Sequence, residues 1–258
     1  NRCIFVINEL PDLQARIQVS LFNVLQESDI QIRGFKLRLP MDIQFVFTAN
    51  PEDYTNRGSI ITPLKDRIQS QILTHYPQSI AIGQEITTQE AKLHKDQHER
   101  VYVPEILRVL VEQIAVEARQ SEYIDSKSGV SARLTISALE SLVSIAERRM
   151  LISGQKQTTA RMSDLYQVVP AINGKIELVY EGEQEGAANV AHRLISKAVR
   201  TLAEKHFKGI QKSKDKKKSE QYQPIIEWFG NNSIDLLNSA TDKEYQQLLS
   251  SVDGLKAV

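Results

Sequence analysis

Polar side chains follow two short apolar segments near the start of the chain. Asn8 and Glu9 come directly after residues 4–7, and Asn50 closes a Thr-Ala-Asn step after residues 43–47. Short apolar runs rich in β-branched residues are typical of buried strands in parallel sheets. Ligands of such sheets bind at the carboxyl ends of the strands. An acid and an amide at two strand ends could organise a water molecule against a nucleotide phosphate, as phosphoryl transfer requires.

The elements that position these residues are predicted to form one α/β unit. Apolar residues at helical spacing predict an amphipathic helix over 13–27, between the two strands. Alternating residues over 29–39 predict a hairpin. A helical turn over 63–70 and a short strand over 70–74 are expected to follow.

From about residue 84 the sequence is predicted to be helical. Apolar residues form four stripes at helical spacing, the first starting near Pro104, the third stopping at Pro170 and the fourth covering 187–207. Five lysines in 212–218 indicate a solvated linker before a short tail. The predicted fold class is therefore α/β followed by all-α.

Composition excludes several classes of protein. The 258 residues carry 32 basic and 32 acidic side chains, so bulk charge does not favour nucleic-acid binding. The single cysteine, Cys3, excludes an intrachain disulfide and favours a reducing, cytoplasmic location. No apolar run reaches the roughly 20 residues of a membrane helix, so no membrane partner is expected. No segment fits the phosphate-binding pattern GxxxxGK[ST].

Several motifs, in the order in which they occur, resemble those of AAA+ ATPases of the magnesium-chelatase and MoxR clade. They are a Walker B-like strand end, Ile4-Phe5-Val6-Ile7-Asn8-Glu9; a hairpin like the one inserted before sensor 1; a sensor 1-like segment, Asn50-Pro51-Glu52-Asp53-Tyr54-Thr55-Asn56-Arg57-Gly58; an arginine-finger-like segment, Thr62-Pro63-Leu64-Lys65-Asp66-Arg67; and a sensor 2-like segment, Gly129-Val130-Ser131-Ala132-Arg133. The resemblance implies the distal half of a P-loop NTPase core over 1–79, a helical lid over 80–208, and a linker and tail over 209–258.

The resemblance also implies roles for single residues. Glu9 would position or deprotonate the lytic water, and Asn50 would hold that water against the γ-phosphate of ATP. Arg67 would reach a neighbouring subunit's nucleotide as an arginine finger, and Arg133 would contact phosphate from the lid. A finger acting in trans implies a homo-oligomeric ring, expected to be a hexamer, with ATP and Mg²⁺ as cofactors.

Two departures from the family pattern qualify these expectations. Asn8 stands where most Walker B motifs have Asp, so its contact with the Mg²⁺ shell is expected to be weak. The P-loop, which precedes Walker B in the family, is missing. The chain is therefore expected to be the C-terminal portion of a longer protein, and alone it is predicted neither to bind nor to hydrolyse ATP.

Three functions follow as alternatives. The first is a motor that remodels a partner protein, by resemblance often one with a von Willebrand factor A domain. The second is a DNA-remodelling motor whose hairpin grips nucleic acid through Arg33, Lys36 and Arg38, which zero net charge makes the weaker alternative. The third is a scaffold with the AAA+ fold but little turnover, a consequence of Asn8.

Overall fold

The computed structural model describes residues 2–27, 30–32, 35–37, 42–50, 59–207 and 222–255. The chain divides into two compact units, Asn1–His75 and Tyr76–Val258. The division falls near the predicted boundary at 79/80. The assignment of the two parts to a AAA+ core and its lid stays a prediction.

The first unit is organised around two parallel strands. Strand β1 (Arg2–Ile7) pairs with β4 (Asp42–Phe47) in a register that sets Cys3 opposite Ile43 and Ile7 opposite Phe47. Helix α1 (Ala15–Glu27) lies between them in the sequence, as a parallel pair requires. The two strands and the helix lie where the sequence predicts them, and the parallel register brings the two carboxyl ends side by side. The prediction that β1 is buried is wrong: Ile4, Phe5 and Val6 are 71%, 51% and 54% exposed, since among the described strands β1 pairs with β4 alone.

The predicted hairpin is also present. Strands β2 (Ile30–Ile32) and β3 (Phe35–Leu37) are antiparallel, with Gln31 opposite Lys36. Arg33 and Arg38 lie outside the described residues, and so does the side chain of Lys36. The expected cationic face of this hairpin therefore stays a prediction.

The segment after the second strand differs from expectation. Helix α2 (Thr62–Lys65) is shorter than the predicted turn over 63–70, and the strand predicted over 70–74 is wrong. Ile72 and Leu73 are 90% and 74% exposed and pair with none of the described strands. A strand needs a neighbouring backbone to satisfy its N–H and C=O groups, and β-propensity alone does not provide one.

The second unit is mainly helical. Its helices are α3 (Ile80–Glu90), α4 (Lys95–Arg100), α5 (Glu105–Arg119), α6 (Arg133–Ile152), α7 (Met162–Leu165), α8 (Val169–Asn173), α9 (Tyr180–Glu185), α10 (Ala187–His206), α11 (Gln223–Asn231) and α12 (Asp242–Ser250). Strands β5 (Val101–Tyr102) and β6 (Thr158–Thr159) form a two-residue parallel ladder. The core lies among α5, α6, α8 and α10, where Leu110, Ile114, Leu142 and Ile195 are almost fully buried.

One proline acts differently from the prediction. Pro170 was expected to end the third helix, but it lies in the first turn of α8, after a 3₁₀ turn over Tyr166–Val168. Proline lacks an N–H, which the first turn of a helix does not need, so the same residue can start a helix as well as stop one.

Among the helices that the structure describes, none combines the length and apolar character needed to cross a membrane.

Candidate functional site

The carboxyl ends of β1 and β4 are joined through Thr48. The backbone N–H of Thr48 donates to the carbonyl oxygen of Ile7 (3.0 Å), which extends the ladder by one bond beyond the strands. The hydroxyl of Thr48 accepts from the backbone N–H of Glu9 (3.0 Å) and donates to Oδ1 of Asn8 (3.4 Å). The N–H of Leu10 returns a bond to the carbonyl of Thr48 (2.9 Å). The loop that carries the predicted acid is thus fixed to the neighbouring strand end.

Glu9 itself adopts a left-handed backbone conformation, with φ 54° and ψ 52°. Among the described residues it is the sole non-glycine residue with positive φ. This conformation costs an L-residue about 1–2 kcal/mol, and such strain concentrates at functional sites. It turns the chain from β1 into a short 3₁₀ turn, Leu10–Asp12, in which Leu10 and Pro11 are buried.

The side chains predicted to do chemistry are accessible at this edge. Asn8, Glu9 and Asn50 are all exposed. Because Asn50 follows Thr48 by two residues, its amide lies on the chain that leaves the same strand end. The parallel register therefore sets Asn8, Glu9 and Asn50 just beyond two adjacent carboxyl ends of the sheet. That these residues form one site stays a prediction.

A buried glutamine of α1 connects this helix to the segment that carries Arg67. Nε2 of Gln18 donates to the carbonyls of Leu13 (2.8 Å) and Ser59 (3.0 Å), and its Oε1 accepts from the N–H of Ile61 (3.0 Å). Gln18 is only 1% exposed. A buried amide that satisfies backbone groups from two segments fixes their relative position. No pattern in the sequence indicates this role for Gln18, because polar residues of an amphipathic helix ordinarily lie on its solvent face.

Arg67 is folded back onto α1. Its guanidinium lies 4.6 Å from the ring centroid of Phe22 and donates to Oε1 of Gln26 (3.2 Å) and to the carbonyl of Pro63. Its Nε is buried and has no hydrogen-bond partner within the described part of the chain. A cation over an aromatic face is stabilised by about 0.5–1 kcal/mol at an exposed site. To reach another subunit, Arg67 would have to exchange these contacts for new ones.

Arg133 lies in the second unit, as the first residue of α6. Its side chain is exposed and makes no hydrogen bond or ion pair with any residue that the structure describes. The preceding turn is held by Val130, whose N–H donates to the hydroxyl of Tyr76 (3.0 Å) and whose carbonyl accepts from Nε of Arg119 (3.1 Å). Gly129 has φ 67°, which explains a glycine at this turn. A cation unpaired within these ranges at a helix N-terminus suits contact with an anion.

A buried acid lies beneath the start of α6. Oε1 of Glu112 accepts from the hydroxyl of Thr87 (2.5 Å), which is 2.7 Å from that of Thr135. The hydroxyl of Thr135 donates to the carbonyl of Ala132, the residue before Arg133. Burial raises the pKa of Glu112, and the hydrogen bonds with Thr87 and Thr135 offset this only in part. No sequence motif marked Glu112, because a buried acid within an amphipathic helix carries no characteristic spacing.

The described residues contain no group of three or more His, Cys, Asp or Glu side chains that could hold a metal ion. At the sheet edge they supply one carboxylate, from Glu9, and two amide oxygens, from Asn8 and Asn50. Magnesium keeps several waters and binds through one or two carboxylates and the substrate's phosphates. This donor set suits contact with a hydrated Mg²⁺ already bound to phosphate.

Comparison with known proteins assigns no family. No family model matches the sequence, and no curated protein matches it. Three chains of solved structures match, among them a "putative ATPase" from Cytophaga hutchinsonii ATCC 33406, with 17% identity and a TM-score of 0.29. The alignment covers 76% of this chain and 64% of that one, so this chain spans less than two thirds of its length. Similarity at this level identifies neither a fold nor an activity.

Proposed function

We propose that the protein is an ATP-hydrolysing AAA+ motor of the magnesium-chelatase and MoxR type, and that Glu9 and Asn50 belong to its hydrolytic site. The observation that carries this proposal is the Thr48 link between two parallel strand ends. It holds a strained, exposed Glu9 beside the chain that leads to Asn50. Rigid support under an exposed acid is what water activation needs, since a small displacement of the base lowers the rate strongly.

In the proposed mechanism the two side chains act on one water molecule. The carboxylate of Glu9 accepts a hydrogen bond, and finally a proton, from the attacking water. The amide of Asn50 donates to the γ-phosphate or to the same water and fixes the line of attack. Bound ATP and Mg²⁺ would supply the transferable phosphoryl group and neutralise its charge. Asn8 would touch only the hydration shell of that ion.

Two arginines would stabilise the charge that develops during transfer. Arg67 would leave Phe22 and Gln26 and reach the nucleotide of a neighbouring copy, and Arg133 would contact phosphate from the start of α6. An arginine supplied across an interface raises phosphoryl-transfer rates by roughly 10³–10⁵-fold in known systems. This division of the site requires a closed ring of copies, for which we propose a hexamer.

The proposed client is a protein, in the first place one with a von Willebrand factor A domain, and the proposed location is the cytoplasm. Both follow from the resemblance of the motifs. A DNA client would use Arg33, Lys36 and Arg38, whose side chains lie outside the described part of the chain.

The test is ATP turnover by the full-length protein and four variants. Glu9→Gln and Arg67→Ala should each lower kcat at least about 100-fold, because each removes a group that acts in the transition state. Asp12→Asn and Lys65→Ala are matched controls: they change the same charges on neighbouring exposed residues and should leave turnover within about twofold. Turnover that survives Glu9→Gln would exclude Glu9 as the base. If turnover is lost in Glu9→Gln but retained in Arg67→Ala, Arg67 is not an arginine finger acting in trans.

A scaffold with weak turnover is the second candidate, and one observation favours it. Oδ1 of Asn8 accepts a hydrogen bond from the hydroxyl of Thr48, so this side chain supports the loop. It does not supply the negative charge that an Asp would offer to the hydration shell of Mg²⁺. Asn8→Asp should then raise kcat of the full-length protein and lower the Mg²⁺ concentration needed for half-maximal activity. A parent protein with brisk turnover, unchanged by Asn8→Asp, would exclude the scaffold.

A further inference from the structure

Two buried arginines in the second unit bind a carboxylate of the C-terminal tail. Nη1 of Arg149 (3.2 Å), Nη2 of Arg161 (2.6 Å) and the hydroxyl of Thr158 (3.2 Å) all donate to Oδ1 of Asp242. The side chains of Arg149 and Arg161 are each 4% exposed, whereas that of Asp242 is 30% exposed. We call Arg149, Arg161 and Thr158 the arginine socket. It lies between the end of α6 and the start of α7.

The socket is not neutral without the tail. Asp164, with a side chain 2% exposed, pairs with Arg149 through both carboxylate oxygens (3.2 and 3.0 Å) and is the socket's own acid. Two guanidinium charges thus face one internal carboxylate, and Asp242 supplies the second. A buried charge that lacks a partner is strongly unfavourable, so whatever covers these two guanidinium groups must supply a second carboxylate, as Asp242 does here.

Further polar contacts align the helix that carries this carboxylate. The N–H of Asp242 donates to Oε1 of Gln155 (3.3 Å), and the ring of Tyr245 lies 4.4 Å from the guanidinium carbon of Arg161. Thr241 caps α12 by accepting from the N–H of Glu244 (3.2 Å), and Glu244 accepts from the N–H of Thr241 (2.7 Å). The capping box keeps Asp242 at the first position of α12, pointed at the socket.

The tail has little apolar contact to hold it in place. Among its described residues, 222–255, the buried apolar side chains are Ala240 and Val252, whereas Leu237, Ile226 and Phe229 are more than half exposed. The pKa of Asp242 is lowered: burial opposes its ionisation, but hydrogen bonds with Arg161 and Thr158 outweigh that effect. The ionic contact with Arg149 and Arg161 is therefore expected to contribute strongly to docking of the tail.

We propose that the arginine socket is a carboxylate-binding site and that the tail is its ligand, bound in cis here and exchangeable for the tail of a second copy. The site recognises an aspartate in the first turn of a capped helix that carries an aromatic ring three residues later. This proposal does not depend on ATP hydrolysis, because none of its residues belongs to the proposed hydrolytic site.

The first test measures release of the tail in the full chain. Asp242→Asn should accelerate amide hydrogen exchange across α12 at least tenfold and change the fluorescence of Trp228, the single tryptophan of the chain. Asp253→Asn, an identical change at an exposed tail position, should match the parent protein. Exchange in α5 should be equal in all three, which shows that the core is intact. Equal exchange of α12 in Asp242→Asn and the parent would overturn the proposal.

A second variant tests the contact without leaving a buried charge unpaired, in case Asp242→Asn disturbs the fold more widely. Tyr245→Leu removes the ring under Arg161 but leaves every charge paired. It should accelerate exchange of α12 less than Asp242→Asn does, with α5 unchanged. If hydrogen exchange of α12 is no faster in Tyr245→Leu than in the parent, the aromatic ring is not part of what the socket recognises.

The second test supplies the ligand in trans. A fluorescently labelled peptide of residues 239–255 should bind the Asp242→Asn chain saturably, as measured by fluorescence anisotropy. The same peptide with Asp242→Asn should bind at least tenfold more weakly. Absence of saturable binding, or equal binding of the two peptides, would show that the socket is not a carboxylate-binding site.

Discussion

The strained backbone of Glu9 supports the proposed role of this acid in hydrolysis. A non-glycine residue at φ 54° persists only where the surroundings impose it, and here the Thr48 hydroxyl and the buried Leu10 and Pro11 do so. The strain has no evident structural benefit, since glycine would fit the same turn. Selection for the carboxylate at this position would explain it.

Replacing Glu9 by glycine should therefore separate stability from activity. Glu9→Gly removes the left-handed penalty and should raise the free energy of unfolding by roughly 0.5–1 kcal/mol, while ATP turnover of the full-length protein is lost. Urea denaturation and a turnover assay measure the two effects. Glu9→Gln keeps the strain and should lose turnover without gaining stability. A Glu9→Gly variant that is less stable than the parent would show that the side chain holds the loop.

Thr48 should matter for activity although no motif contains it. Thr48→Val keeps the shape of the side chain but removes the hydroxyl that accepts from the Glu9 N–H and donates to Asn8. We expect kcat to fall about 10–100-fold, because the base is displaced, with little change in KM. Thr48→Ser restores the hydroxyl and should restore most of the rate. Equal rates in Thr48→Val and the parent would mean that the link does not position Glu9.

At the scale of single residues, the sequence predicts which groups meet but not how they are held. Asn8, Glu9 and Asn50 could be placed at one edge because parallel strands align their carboxyl ends. The φ of Glu9 and the hydrogen bonds of Gln18 could not be predicted, because both depend on segments about 40 residues apart in sequence.

Helix α5 carries two buried acids whose pKa values shift in opposite directions. Burial raises the pKa of Glu112 above its ordinary value of 4.5. Burial also opposes ionisation of Glu117, but hydrogen bonds with Lys197, Gln113 and Thr201 outweigh it and lower the pKa. The difference arises from the neighbouring helices: α3 presents a hydroxyl to Glu112, whereas α10 presents an ammonium to Glu117 at 2.9 Å.

The two acids should therefore give opposite pH dependence to stability. Between 4.5 and the raised pKa, folded Glu112 keeps a proton that the unfolded chain has lost, so its contribution falls as pH rises. Glu112→Gln should stabilise the protein at neutral pH by the order of 1 kcal/mol and match the parent below pH 4.5. Urea denaturation across this range provides the measurement.

Glu117→Gln is the matched control on the same helix. The contribution of Glu117 is present above 4.5 and is lost as pH falls through its lowered pKa, so this variant should be destabilised at neutral pH and converge with the parent only in acid. Destabilisation of both variants at neutral pH would contradict the raised pKa of Glu112.

At the scale of elements, hydrophobic periodicity predicted the long helices. It failed where neighbouring segments determine whether a strand or a helix forms. Helices α5, α6 and α10 are amphipathic, and each buries one continuous apolar face. Such a face is visible in the sequence as apolar residues at helical spacing. The wrong strand over 70–74 had suitable residues but no neighbouring strand. The helix start at Pro170 depended on the 3₁₀ turn before it, which no periodicity shows.

The whole molecule contains long-range contacts that a motif search cannot find. Arg149 and Asp242 are 93 residues apart, and the intervening linker has no pattern that pairs them. By contrast, the order of an α/β unit before a helical unit could be predicted, because the change of hydrophobic period from two to 3.6 is visible along the chain. Local pattern thus predicts architecture, and tertiary contact decides which charges are buried.

If the proposed catalytic site is shared between copies, mixing two inactive variants should restore part of the ATP turnover. This can be tested only with the assembled protein. Glu9→Gln subunits retain Arg67, and Arg67→Ala subunits retain Glu9, so each is inactive alone if the finger acts in trans. In an equal mixture, about a quarter of the interfaces in a closed ring would join an intact Glu9 to an intact Arg67. Mixing two inactive variants of the full-length protein should therefore recover about that fraction of the parent's turnover.

The control mixture combines Glu9→Gln with a double variant that carries both changes, which restores no complete site but assembles in the same way. It should stay inactive. If the first mixture also stays inactive while the parent turns over ATP, Glu9 and Arg67 act within one subunit. The contacts of Arg67 with Phe22 and Gln26 would then be its working position, and no ring would be needed for hydrolysis.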